Sequence, residues 1–137
     1  MKKMYAVILL VALAISTVSC SKDDGDTIEF KALQISEADL PESFSLGNTY
    51  EIKVKYAAPD GCTYFETFDV VQKDTTIREV VAIGSRNLDL QCDQVVVNRE
   101  ESFLFKVVHN QDYLFKFWQG QNTDGEAQFL EIEVPIE

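Results

Sequence analysis

The chain has 137 residues, 23 Asp and Glu against 12 Lys and Arg, and a formal net charge of −11 at pH 7. That balance argues against a nucleic-acid binder, which needs clustered cations to neutralise phosphates. A single histidine and three cysteines leave little for imidazole catalysis or a zinc site.

Met1, Lys2 and Lys3 form a positive head, Met4 to Ile15 is an apolar run, and the small or polar residues Ser16, Thr17, Val18 and Ser19 lead to Cys20. This is the layout of a secretory signal peptide over residues 1–19. The apolar run is shorter than the roughly 20 residues that cross a bilayer, so a cleaved leader is expected in preference to a retained transmembrane helix. Thr17-Val18-Ser19-Cys20 resembles the lipobox of bacterial lipoproteins, with Thr17 where leucine is commonest. The resemblance implies that Cys20 becomes the first residue and carries acyl chains such as palmitate on its thiol and amine. Two or more such chains give stable membrane attachment.

Ser21 to Asp26, with Asp23, Asp24 and Asp26, is too hydrophilic to fold and is expected to act as a tether over residues 20–26. It is similar to the acidic segment of Bacteroidota surface lipoproteins, where such a stretch directs export to the outer leaflet. That likeness implies an outer-membrane, lipid-anchored protein at the cell surface, with the periplasmic face as the alternative. An ordinary solvated linker explains the same letters. Removing Met1 to Ser19 takes away Lys2, Lys3 and no acid, so the formal charge moves from −11 to about −13. So acidic a surface chiefly serves solubility, and it would also suit a cationic partner.

Residues 27–137 suffice for one domain, and their periodicity predicts strands throughout. From Thr27 to Ile35 apolar residues alternate until the pattern slips near Leu33, as at a bulge; a helical turn is conceivable over Ser36 to Asp39. Asn48 to Tyr56 places Tyr50, Ile52, Val54 and Tyr56 on one face and charges on the other, the mark of a half-buried strand. Pro59-Asp60-Gly61 signals a turn, followed by a strand from Cys62 to Gln72. A strand over Thr75 to Ile83 is expected to end at Gly84, and Gln94 to Val97 reads as a short apolar strand. Phe103–Val108 and Tyr113–Trp118 flank a polar tetrapeptide, which predicts a hairpin with Phe103, Phe105, Val107, Tyr113, Phe115 and Phe117 pointing inward. A polar loop through Gly125 leads to a last strand, Gln128 to Pro135. The fold expected is all-β, a single immunoglobulin-like antiparallel β-sandwich of 7–8 strands, with a small β-barrel as the alternative. Trp118 follows both remaining cysteines, so the tryptophan between cysteines of true immunoglobulin domains is absent. The stretch from Tyr50 through Cys62 is similar to the β-sandwich domains of small Bacteroidota lipoproteins, including the C-terminal half of NigD-like proteins, a family that lends no activity.

With Cys20 assigned to lipid, Cys62 and Cys92 remain as an even pair in an oxidising compartment, which favours a disulfide. Two free buried thiols or metal ligands are the competing readings. No cofactor or metal is expected: His109 stands alone at a turn, and no CxxC spacing occurs. Asn122-Thr123-Asp124-Gly125-Glu126 offers oxygens but lacks the spacing of a calcium loop, and a turn explains it. The pairs Glu100 with Glu101, in an expected turn, and Glu131 with Glu133, on an outward strand face, are formally possible glycosidase carboxylates. No catalytic motif accompanies them, so an enzyme is not expected. Trp118 shares its face with Leu114 and Lys116, opposite the core, and is the candidate ligand contact; simple packing is the bland reading. The functional expectation is a non-catalytic binding or accessory module that meets a glycan or an envelope protein, the alternative being an acidic inhibitor of a cationic hydrolase such as lysozyme.

Overall fold

The computed structural model describes residues 25–137. The signal peptide, Cys20 and the first part of the tether lie outside the described residues. Seven strands follow in order: β1 (Ile28–Asp39), β2 (Thr49–Ala58), β3 (Thr63–Gln72), β4 (Ile77–Asn87), β5 (Val97–Lys106), β6 (Tyr113–Gln121) and β7 (Ala127–Val134). The hydrogen-bonded order is β5-β2-β1-β4-β6-β7, with β3 on the other edge of β4.

β1 joins the two halves of this sheet. Its first half, Ile28 to Leu33, pairs with β4; its second, Gln34 to Asp39, pairs with β2. The partner therefore changes at Leu33, where the sequence pattern slips, and a register shift follows between Ile35 and Glu37. Bulges sharpen twist, and here the strand turns from one layer into the other. Ring contacts between strands that do not pair show the halves facing each other: Tyr56 with Phe65 at 5.4 Å, Phe68 with Phe103 at 5.3 Å and Phe105 with Phe115 at 5.0 Å. The result is an all-β, sandwich-like fold of seven strands, as the sequence predicts.

The core is built from the inward set of each strand: Leu33 and Ile35 of β1, Ile52, Val54 and Tyr56 of β2, Val80 and Ala82 of β4, Phe105 of β5, and Tyr113, Phe115 and Phe117 of β6. Each large side chain buried in this way contributes about 1.5–3 kcal/mol. Phe44, in the β1–β2 connection, is fully buried and packs on Tyr50, Phe105, Tyr113 and Phe115. The C-terminus holds it, for Phe44 N–H donates to Pro135 O and Glu137 N–H to Phe44 O, each at 2.8 Å.

Several local expectations are corrected. β4 does not stop at Gly84 but runs to Asn87. Glycine is needed there for space, because a Cβ would stand 2.8 Å from Leu33 Cδ1 and 2.9 Å from Tyr64 O. Gln94 to Val96 form no strand, and Val97 opens β5; the run is apolar, yet Val95 and Val96 are 64% and 62% exposed with no layer above them. Ser36 to Asp39 continue β1, and Glu100 and Glu101 lie within β5. The predicted hairpin between β5 and β6 does not form: β5 pairs with β2, while β6 pairs with β4 and β7. Its inward residues are inward, but they meet across the interior, and residues 107–112 cross from one layer to the other. The Tyr113 hydroxyl accepts the Val108 and His109 N–H groups at 3.2 and 3.0 Å, as in the tyrosine corner of β-sandwiches. Nor is every pairing antiparallel, since β4 and β6 run parallel. β3 and β4 form a hairpin, and its second arm, not its first, lies beside β6.

Candidate functional site

Alternation along β6 sends Tyr113, Phe115 and Phe117 into the core and leaves Leu114, Lys116 and Trp118 facing out. A register shift between Trp118 and Gly120 re-aims the strand there. Gly120 adopts φ 106°, and a Cβ on it would stand 2.6 Å from Gln34 Nε2. Glycine thus lets β6 close on β1 where β1 leaves β4. A cleft of about 300 Å³ opens at this fork, lined by Lys31 to Gln34 of β1, Ala57 of β2, Pro59 beyond it, Val96 and Trp118. Trp118 is partly buried, so part of its indole packs and part is available. The volume is at the lower end of ligand sites, roughly 300–1,000 Å³.

The Pro59 wall is held by a buried carboxylate. Asp60, 1% exposed, accepts the Cys62 N–H and the Thr63 hydroxyl, each at 2.9 Å, and pairs with Arg86 at 3.3 Å. Burial pushes its pKa up, but the hydrogen bonds from Thr63 and Cys62 with the charges of Arg86 and Lys31 outweigh that, and the net direction is down. Arg86 Nε is buried without a hydrogen-bond partner, which marks the guanidinium as held by its carboxylate and not by a complete set of acceptors. Next to this turn Cys62 and Cys92 form the disulfide, their Cα atoms 5.6 Å apart, which removes the free-thiol and metal-ligand alternatives for these cysteines. The bond ties the start of β3 to the loop that carries Val96.

A second depression, about 370 Å³, lies on the outer face of β1 and β2 among Glu37, Asp39, Lys53, Lys55 and Glu100. Two of its charges already engage each other, Lys55 Nζ standing 2.6 Å from Glu37 Oε2. Exposed ion pairs of this kind are worth little and rearrange readily. The apolar cleft at Trp118 is the better candidate for a defined contact.

The remaining candidates are dispersed. His109 sits half-buried on the crossover, its ring 6.5 Å from that of Tyr113. Glu100 and Glu101 are consecutive on a strand and point to opposite sides, so they cannot flank one glycosidic bond. Glu131 and Glu133 are exposed, and Glu131 stands 3.6 Å from Lys116. Asn122 to Glu126 form the β6–β7 turn: Asn122 Oδ1 accepts from the Asp124 and Glu126 N–H groups, and Gly125 takes φ 80°. Those oxygens serve the turn itself. Among the described residues no group of three or more His, Cys, Asp or Glu is placed to hold a metal ion. Alternation located Trp118 in the sequence; the β1 residues and Pro59 beside it were hidden, because only the change of partner at Leu33 brings them together. No family model, curated protein or solved structure matches this chain.

Proposed function

We propose that the chain is a lipid-anchored, non-catalytic binding module of the outer membrane, presented at the cell surface, with the Trp118 cleft as its contact point. The observation that carries this is the sole tryptophan of the chain, partly exposed on an apolar cleft whose walls are fixed by a disulfide and by the buried Asp60 carboxylate paired with a partly exposed Arg86. Rigid walls reduce the ordering cost of binding. An indole face packs on the C–H face of a sugar ring, and Lys31 and Gln34 beside it supply donors for hydroxyl or carbonyl oxygens. A glycan fits these groups best, and an extended segment of an envelope protein is the other occupant they admit. The leader, Cys20 and the acidic tether support the anchored location.

The test is one pair of variants expressed as the full chain. Trp118→Ala should fold as the wild type and lose binding on a glycan array and in envelope-protein pull-downs, while Cys20→Ala should leave the membrane fraction. An unchanged binding profile in Trp118→Ala rules out the cleft, and continued membrane fractionation of Cys20→Ala rules out the anchor.

A further inference from the structure

Exposed aliphatic side chains gather at one end of the sandwich. Ile28, Leu88, Leu90, Val95, Val96 and Val97 are each between 38% and 64% exposed. Their common location follows from the backbone: Ile28 pairs with Asn87, Leu88 N–H donates to Thr27 O at 2.9 Å, and Val97 pairs with Ala58 at the end of β2. The loop that bears four of them is pinned. Cys92 is bonded to Cys62, Gly61 N–H donates to Asp93 O at 3.0 Å, and Thr27 N–H donates to Asp89 Oδ2 at 2.9 Å. A fixed loop that holds aliphatic groups toward water marks a docking surface.

The chain itself says what lies opposite this end. Six residues, Ser21 to Asp26, separate Cys20 from Thr27, and the seven steps from Cys20 to Thr27 can span at most roughly 25 Å at about 3.3–3.6 Å per residue. The opposite end of the sandwich, with the 107–112 crossover, lies a strand length further off, roughly 30 Å at about 3.3 Å per residue. Cys20 held in a bilayer therefore keeps the aliphatic end nearest the lipid and the 107–112 end farthest from it.

We propose that this end of the domain rests on the bilayer, with Leu88, Leu90 and Val95 buried in its interfacial region, the disulfide holding them in place, and Val96 left to the wall of the Trp118 cleft. The docking rests on the lipid anchor of the proposed function and goes beyond it, for it makes the domain a seated body whose Trp118 cleft has a fixed orientation to the membrane. Leu90 and its neighbours act as the apolar face of an interfacial element does. Asp89 and Asp93 on the same loop favour a zwitterionic over an anionic lipid surface.

The experiment uses the full lipidated chain in phosphatidylcholine vesicles made with and without bromine-bearing acyl chains. Two single-tryptophan reporters are built in a Trp118→Phe background: Leu90→Trp at the aliphatic end, and Leu104→Trp on β5, whose native leucine is 75% exposed. Vesicle flotation is measured on the same samples. We expect the chain to float and brominated lipid to dim the Leu90→Trp emission by about twofold or more, with the Leu104→Trp emission unchanged. Equal emission of both reporters with and without bromine, in a chain that floats, overturns the docking and leaves the anchor intact. Shielding of the Leu90→Trp reporter from aqueous quencher without any effect of bromine also overturns it, because protein and not lipid then covers this end. A chain that fails to float removes the anchor and the docking with it, and leaves ligand binding at Trp118 as a separate question.

Discussion

The guanidinium carbon of Arg78 lies 5.5 Å from the ring centroid of Tyr113, deep at one end of the sandwich. Arg78 is 6% exposed and points inward from β4; its Nη1 donates to the carbonyls of Asp74, Thr75 and Ile77, each at 3.1 Å, and Phe105 covers it at 5.8 Å. Tyr113 in turn accepts the N–H groups of Val108 and His109. One cation between two rings thus couples the β3–β4 turn to the crossover between layers.

Replacing Arg78 by Met keeps much of the stem volume and removes the donors, leaving the Asp74 and Thr75 carbonyls to find other partners while Ile77 O keeps the Lys73 N–H at 3.0 Å. The variant should lose about 2–4 kcal/mol, combining unmet acceptors with the lost ring contacts. Urea unfolding of wild type and variant measures this. A loss under about 1 kcal/mol would mean the turn carbonyls reach water without cost.

Asp60 sets a pH dependence. Its folded pKa lies below the unfolded value of 3.8, so its contribution is complete above that value and is lost as pH falls through the folded value. Asp60→Asn keeps an acceptor for Cys62 and Thr63 and removes the charge facing Arg86. At neutral pH it should cost about 1–3 kcal/mol, and the gap to wild type should close as the pH drops below about 4. Thermal unfolding of both proteins across that interval checks the sign; a gap that widens toward acid contradicts the assignment.

The Cys62–Cys92 bond closes a loop with a sequence separation of 30. On the chain-entropy model its loss costs about 3–4 kcal/mol. Cys62→Ala with Cys92→Ala should show that loss in denaturant unfolding. It should also free the loop around Leu90 to exchange its amide hydrogens faster, while the Phe115 region, across the core, keeps its protection.

Much of the fold was legible because strand alternation is a strong signal wherever one face is buried. Tyr50, Ile52, Val54 and Tyr56 alternate against charges, and β2 lies where that pattern predicts. The slip near Leu33 was also real, but its meaning, a strand changing layers, depends on partners that no local pattern contains. The same limit explains the missing hairpin: the spacing of Phe105 and Tyr113 fixes which way each side chain points, not which strand each pairs with. Phe44 and Arg78 were missed for opposite reasons. Phe44 stands in an irregular segment with no periodicity to flag it, and Arg78 is a charge at an inward position, where alternation leads one to expect an apolar residue. The candidate site was half legible, since Trp118 could be placed on an outward face while Lys31 to Gln34 and Pro59 reach it only through the bend of β1.

Because Trp118 is the sole tryptophan, its own fluorescence reports the cleft directly. Titration of the full chain with a panel of envelope oligosaccharides, followed by solubilised envelope proteins, should produce a saturable shift in emission and protection from aqueous quencher for a true ligand. An emission spectrum that stays fixed for a ligand shown by an independent method to bind would contradict the account, for it would place the contact away from Trp118.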